Sequence, residues 1–219
     1  MRFRAVIFDL DGTLANTLSD IAEAMNRALT AHDLPALDPD AYRSLVGEGV
    51  ERLVERSVPI DRPDLVGPVL EDLKCYYTAH MLDQTTAYPG IPELLDQLTE
   101  RGLPMAVVSN KPEPATRAMV EQMFDRWRFT AVVGGTDGVP LKPDPTAVLK
   151  IARTLGVEPS VCVYLGDTMT DMQTAVAAGM YPVGVLWGFR DRDELSAHGA
   201  QALIKEPLDL LSLLDEHDA

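Results

Sequence analysis

The sequence has little cysteine, no long apolar run and no cluster of basic residues. Its two cysteines, Cys75 and Cys162, lie far apart and form no CxxC pair. That argues against a disulfide framework and a thiolate metal site, and points to free thiols in a reducing cytoplasm. No apolar stretch approaches the roughly 18 residues that a membrane-spanning helix needs. The run behind Met1-Arg2-Phe3-Arg4 stops at Asp9, which is too short for a secretory leader. Lys and Arg total 19 against 34 Asp and Glu, for a net charge of −15. A nucleic-acid binder needs clustered cations to neutralise phosphates, so nucleic acid and anionic membranes are excluded as partners. Internal repeats, low-complexity tracts and long linkers are also missing.

What is present is an alternation of strands and helices. Ala5-Val6-Ile7-Phe8 is a short, β-branched apolar run, as expected for a strand buried on both faces of a parallel sheet. Similar runs start at Met105, Ala131, Val161 and Pro182. Helical patterns lie between them, over 92–101, 114–124, 145–155 and 170–178. Several open near a proline and close on a glycine, the expected punctuation. The fold class is therefore α/β, a doubly wound parallel sheet with a Rossmann-like core. One stretch breaks the alternation: from Thr17 to about Gln84 the patterns are helical only. It reads as an inserted small helical cap, residues 16–84, within a catalytic core of residues 1–15 and 85–219.

Ligands of an open parallel sheet bind beyond the carboxyl ends of its strands. The polar residues there are Asp9 and Asp11, then Ser109 and Asn110, then Gly166 and Asp167, with Lys142 and Asp171 close by in sequence. Two carboxylates as close as Asp9 and Asp11 repel unless a cation lies between them. Asp167 and Asp171, four apart, face one side of a helix start. Several carboxylates with one lysine, and neither His nor Cys in these segments, make a hard-oxygen site suited to Mg²⁺. His32, His80, His198 and His217 fall in no motif and read as surface or cap residues.

Asp9-Leu-Asp-Gly-Thr-Leu14, Val108-Ser-Asn-Lys111, Leu141-Lys-Pro-Asp-Pro145 and Gly166-Asp-Thr-Met-Thr-Asp171 resemble, in order, the four motifs of the haloacid dehalogenase-like hydrolases. The resemblance covers nearly the whole chain. The helical insertion, Tyr88-Pro-Gly90 and Gly47-Glu48-Gly49 resemble the subgroup that holds phosphoglycolate phosphatases. The resemblance implies a Mg²⁺-dependent phosphatase of a small phosphate ester, with 2-phosphoglycolate foremost. Asp9 is then the nucleophile and Asp11 the general acid and base. The metal falls to Asp9, Asp167 and the backbone carbonyl of Asp11, while Asp171 supports it or orients Lys142. Ser109 and Lys142 grip the phosphoryl oxygens, helped by the Asn110 amide. Thr13 orients the nucleophile loop, and the Gly47-Glu48-Gly49 loop reads the substrate.

Other readings use the same scaffold. A phosphatase of pyrophosphate, sugar phosphates or nucleotides shares the core chemistry. A hexose phosphate mutase keeps both Asp residues but carries a His early in the cap, where Ile21 stands here. An inactive binding protein would have lost a motif residue. Arg190, after the last long strand run, reads as a surface arginine, and Asn16 stands where many relatives carry Asp. As a partner the reading expects only a small-molecule phosphate ester, in a monomer or homodimer.

Overall fold

The computed structural model describes residues 3–216, so Met1, Arg2 and His217 lie outside the described residues. The chain opens with β1 (Ala5–Phe8) and a short strand, β2 (Ala15–Asn16). Four helices follow: α1 (Leu18–Ala31), α2 (Tyr42–Leu45), α3 (Val50–Ser57) and α4 (Val66–His80). The return strand β3 (Thr86–Ala87) leads to α5 (Ile91–Glu100), β4 (Met105–Pro112), α6 (Glu113–Met123) and β5 (Phe129–Gly135). Then come α7 (Thr146–Leu155), β6 (Cys162–Gly166), α8 (Met169–Ala178) and β7 (Tyr181–Val185). The described chain ends with α9 (Arg192–Ala197), β8 (Ala202–Ile204) and α10 (Asp209–Glu216).

The six main strands form one sheet in the order β5-β4-β1-β6-β7-β8, and each neighbouring pair is parallel. The uninterrupted apolar runs follow from burial on two faces. Val6, Phe8, Met105, Val107, Val163 and Leu165 pack on one side with Leu94, Leu95 and Leu98 of α5. Ala5, Ile7, Ala106, Val108, Cys162 and Tyr164 pack on the other with Val148 and Ile151 of α7 and Ala175 of α8. The period-2 geometry of a strand sends alternate residues into the two layers.

Helices α1–α4 bury a cluster of their own. Ile21, Met25 and Leu29 of α1 meet Leu53 and Val54 of α3, Val69 and Leu73 of α4, and the fully buried Tyr42. The helical periodicity of residues 19–31 is thus the imprint of one buried face. A residue from outside the segment, Phe189, joins this cluster from beyond β7.

The segment leaves and rejoins the sheet through an antiparallel ribbon, with Ala15 opposite Ala87 and Asn16 opposite Thr86. Asp20 fastens it. Its buried carboxylate accepts from the amides of Gln84 (3.0 Å) and Thr85 (2.8 Å) and from the Thr85 hydroxyl (2.7 Å). Removing that acceptor strands two amides at the joint. Asp20→Ala is expected to cost about 2–3 kcal/mol, read as a lower urea midpoint. An unchanged midpoint would show that water replaces the carboxylate freely.

Candidate active site

β1 lies at the centre of the sheet, between β4 and β6. The chain fills one side of it with β4 and β5, then crosses to the other with β6, β7 and β8. This reversal leaves a crevice beyond the strand ends, the binding position of doubly wound folds. Asp9 and Asp11 emerge from β1 into it, and Asp167 follows β6. The apolar part of β4 ends at Val108 as expected, but the strand runs on to Pro112 through a register shift, so Ser109, Asn110 and Lys111 lie within it. Gly12 turns the loop after β1 at φ 85°, and a Cβ there would run into the Asp167 carboxylate.

Lys142 comes from the loop between β5 and α7, and its side chain is 3% exposed. Its Nζ donates to Asp9 Oδ1 and Asp171 Oδ1, both at 2.7 Å. Burial works against the ammonium, but Asp171 and Asp9 outweigh it and hold its pKa well above the ordinary value. Asp171 is fully engaged. Its Oδ1 also accepts from the Tyr164 hydroxyl (3.0 Å), while Oδ2 accepts from the Thr168 amide (3.0 Å) and hydroxyl (2.6 Å), closing the capping box of α8. These bonds orient Lys142, one of the two roles the sequence leaves open for Asp171; its place beside Asp9 and Asp167 suits the other, support of the metal site. The Asn110 side chain holds the backbone of the same lysine, accepting from the Lys142 amide (2.8 Å) and donating to its carbonyl (3.0 Å). It also donates to the Gly47 carbonyl (2.9 Å). Sequence reading foresaw only the Asn110 backbone amide.

Buried oxygens of Asp9, Asp167 and Asp171 lie within 4.8 Å of one another, the one such cluster among the described residues. Asp167 accepts from the Phe189 amide (2.7 Å) and, more weakly, from the Thr13 hydroxyl (3.4 Å). Burial pushes the Asp9 carboxyl up to about 7, with Lys142 opposing and Asp171 and Asp11 reinforcing the rise. Burial, Asp171 and Asp9 raise Asp167 well above the carboxylate range. Crowded, buried and purely oxygen in character, Asp9 and Asp167 fit a small divalent cation such as Mg²⁺. The sign of the linkage follows. A carboxyl whose pKa is raised on folding loses stability as pH climbs from its unfolded value of 3.8 towards about 7. A cation that pairs with the ionised form offsets this loss. Mg²⁺ is therefore expected to raise the melting temperature more at pH 8 than at pH 5.5 in a thermal-shift series. An equal rise at both pH values would contradict the pairing.

Lys111 was not singled out by sequence as a site residue, although it closes the Ser109-Asn110-Lys111 segment. It is buried, and its Nζ donates to Asp11 Oδ1 (3.0 Å), Asp11 Oδ2 (3.2 Å) and the Tyr77 hydroxyl of α4 (2.7 Å). Burial disfavours its charge, but Asp11 and Tyr77 hold the ammonium pKa above its usual value. The Asp11 carboxylate therefore faces Lys111 and stands outside the acidic cluster.

A cavity of about 630 Å³ lies between the sheet edge and the helical segment. Asp9, Asp11, Ser109, Asn110, Lys111 and Lys142 line its polar end, and Gly47 and Gly49 reach it from the segment. Four sequence candidates are off that lining: the fully buried Asp167 and Asp171 of the acidic cluster, and Glu48 and Thr13. Glu48 pairs with Arg56 at 2.6 Å. Thr13 is fully buried, with its hydroxyl on Asp167. Arg190 is not a free surface arginine: it donates to the carbonyls of Ser44 (3.1 Å) and Val46 (2.9 Å) and pairs with Glu194. His32, His80 and His198 bond to Asp72, Asp83 and the Glu194 carbonyl, away from the site.

Residues 6–185 match the model of the haloacid dehalogenase-like hydrolases. The chain belongs to that family. As a haloacid dehalogenase-like hydrolase it is 34% identical to a phosphoglycolate phosphatase of Chromobacterium violaceum, over 95% of this chain and 96% of that one. It is 31% identical to an N-acetylmuramic acid 6-phosphate phosphatase of Pseudomonas aeruginosa, over 98% and 96%. A crystal structure from Lactobacillus delbrueckii subsp. bulgaricus superposes with a TM-score of 0.91 at 32% identity, covering 96% of this chain and 97% of the other. Family and relatives make this hydrolase a phosphoric monoester hydrolase. Among the described residues, no helix is long and apolar enough to cross a membrane.

Proposed function

We propose that this hydrolase is a Mg²⁺-dependent phosphatase that works through an aspartyl-phosphate on Asp9, with 2-phosphoglycolate as its first candidate substrate. The observation that carries the reading is Lys142 Nζ, 2.7 Å from the carboxylate of Asp9 at the head of the central strand, with Asp9 lining the cavity. An Asp9 oxygen attacks phosphorus in line. The bond to the leaving oxygen breaks as Asp11 delivers a proton to it. Asp11 then takes a proton from the water that attacks phosphorus, and the Asp9–phosphorus bond breaks to release phosphate. Lys142 and Ser109 hold the equatorial oxygens, where charge gathers in phosphoryl transfer. Asp171 and Asn110 keep Lys142 in place, and Thr13 steadies Asp167. Asp9, Asp167 and the Asp11 carbonyl would hold Mg²⁺, which neutralises charge between carboxylate and phosphate. Residues 16–84 form the cap, and its Gly47–Gly49 loop closes over the bound ester and excludes water. The free thiols of Cys75 and Cys162 suit the cytoplasm.

Kinship supports the substrate. The two relatives' names both denote phosphate monoesters that also bear a carboxylic acid. Release of phosphate from p-nitrophenyl phosphate with Mg²⁺, abolished by EDTA, is the expected result. A panel of esters ranked by kcat/KM then tests the glycolate assignment, which fails if 2-phosphoglycolate falls far below the best ester. No phosphate release from any ester with Mg²⁺ ends the reading itself.

A further inference from the structure

We propose that Lys111, together with the Tyr77 hydroxyl, reads a carboxylate on the substrate, so that preferred esters carry an acid group on their leaving side. The inference rests on the phosphatase reading above and deepens it. The cations on the cavity lining are Lys74, Lys111 and Lys142. Lys142 is committed at the phosphoryl end by Asp9 and Asp171. Lys74 is 48% exposed and pairs with Glu51 at 3.1 Å, so it faces solvent. Lys111 is the buried cation beside Asp11, the group that meets the leaving oxygen, and its side chain is 5% exposed.

The chemistry of a glycolate ester matches this position. Its carboxylate carbon is joined to the leaving oxygen through a single methylene, so it falls near whatever cation neighbours Asp11. An ammonium has three donors; Lys111 directs them at both Asp11 oxygens (3.0 and 3.2 Å) and the Tyr77 oxygen (2.7 Å), and a substrate carboxylate would take over the longer Asp11 contact. The Tyr77 oxygen accepts from Lys111, which leaves its own O–H free to donate. Apart from Lys74, Tyr77 and Thr78, the cap side of the lining is apolar, with Ile21, Leu53, Leu73 and Met81. A substrate carboxylate placed there without Lys111 would be buried unpaired, at high cost. The cavity, about 630 Å³, is of the size that takes drug-sized ligands. Glycolate does not fill it, so selection falls on charge and not on size. Lys111 belongs to β4 and Tyr77 to α4, so the pair is complete only with the helical segment seated over the sheet edge.

The test compares 2-phosphoglycolate and 3-phosphoglycerate with ethyl phosphate, which lacks the acid group. The unaltered protein is expected to favour a carboxylated ester. Lys111→Met should lower the kcat/KM ratio of carboxylated to uncharged ester about tenfold to a hundredfold, the range for losing a charge-assisted bond. Lys111→Arg should recover part of it. Tyr77→Phe, which preserves shape, should lower the same ratio severalfold, mainly through KM. Far-UV circular dichroism and the urea midpoint certify that each variant is folded. Equal losses on both ester types would overturn the proposal, because Lys111 would then act only through Asp11. So would an unaltered protein that turns over ethyl phosphate as well as either acid. If 2-phosphoglycolate is slow but 3-phosphoglycerate shows the Lys111-dependent preference, the glycolate assignment falls and this inference stands. If no ester, p-nitrophenyl phosphate included, is hydrolysed with Mg²⁺, the phosphatase reading fails and this inference with it.

Discussion

Asp9→Asn is expected to lower kcat by about 10⁴-fold or more while the protein still folds. The amide is nearly the same shape but is no nucleophile towards phosphorus. Two features protect the fold. Lys142 keeps its second carboxylate, Asp171. The Asp9 carboxyl is also a costly group to ionise, since burial raises its pKa to about 7. Replacing it with a neutral side chain removes that cost, so the urea midpoint of the metal-free variant should equal or exceed that of the parent protein at pH 8. Turnover of p-nitrophenyl phosphate and urea unfolding check the two halves. Parental turnover in the variant would remove Asp9 from the chemistry.

Lys142→Met should damage both rate and stability. The lysine side chain is almost wholly buried and bridges two carboxylates, each at 2.7 Å. Without it, Asp9 and Asp171 face each other at short range with no charge between them. Breaking a buried pair in this way costs about 3–5 kcal/mol. Loss of an anchored donor to the transferring group costs a further 10²–10³-fold in kcat, roughly, by analogy with oxyanion donors. Mg²⁺ should restore part of the lost stability and little of the rate, because it offsets charge near the same carboxylates without replacing the donor. A variant as stable as its parent would mean that one of the two acids carries a proton in the folded state. A variant with undiminished kcat would show that the ammonium does not grip the phosphoryl group.

Much of this was legible in the chain. Runs such as Ala5–Phe8 and Cys162–Gly166 announce strands because both faces are buried, and helix α1 because only one is. The parallel order then carries Asp9, Ser109 and Asp167 to one edge. What the chain conceals is short or depends on partners far away. Ala202–Ile204 and the Ala15–Ala87 ribbon are too brief to show a period, and their pairing residues alone define them. Lys111 looks like any lysine near a strand end until Tyr77, 34 positions earlier, is laid against it. Arg190 looks exposed in sequence because its acceptors, the Ser44 and Val46 carbonyls, belong to another segment. Glu48, between two glycines, suggested a substrate contact, but Arg56 draws it away.

The turn after β7 ties the two halves of the molecule together. The Phe189 amide bonds Asp167 while its ring sits among the helices. Trp187 Nε1 donates to the Thr13 carbonyl, Arg43 donates to the Gly188 carbonyl, and Arg190 clasps the backbone near Val46. A chimera that borrows helices α1–α4 from a cousin with other tastes must therefore borrow Trp187–Arg190 as well. Without that graft, foreign helices would have no socket shaped for the Phe189 ring, and the misfit would be felt directly at Asp167.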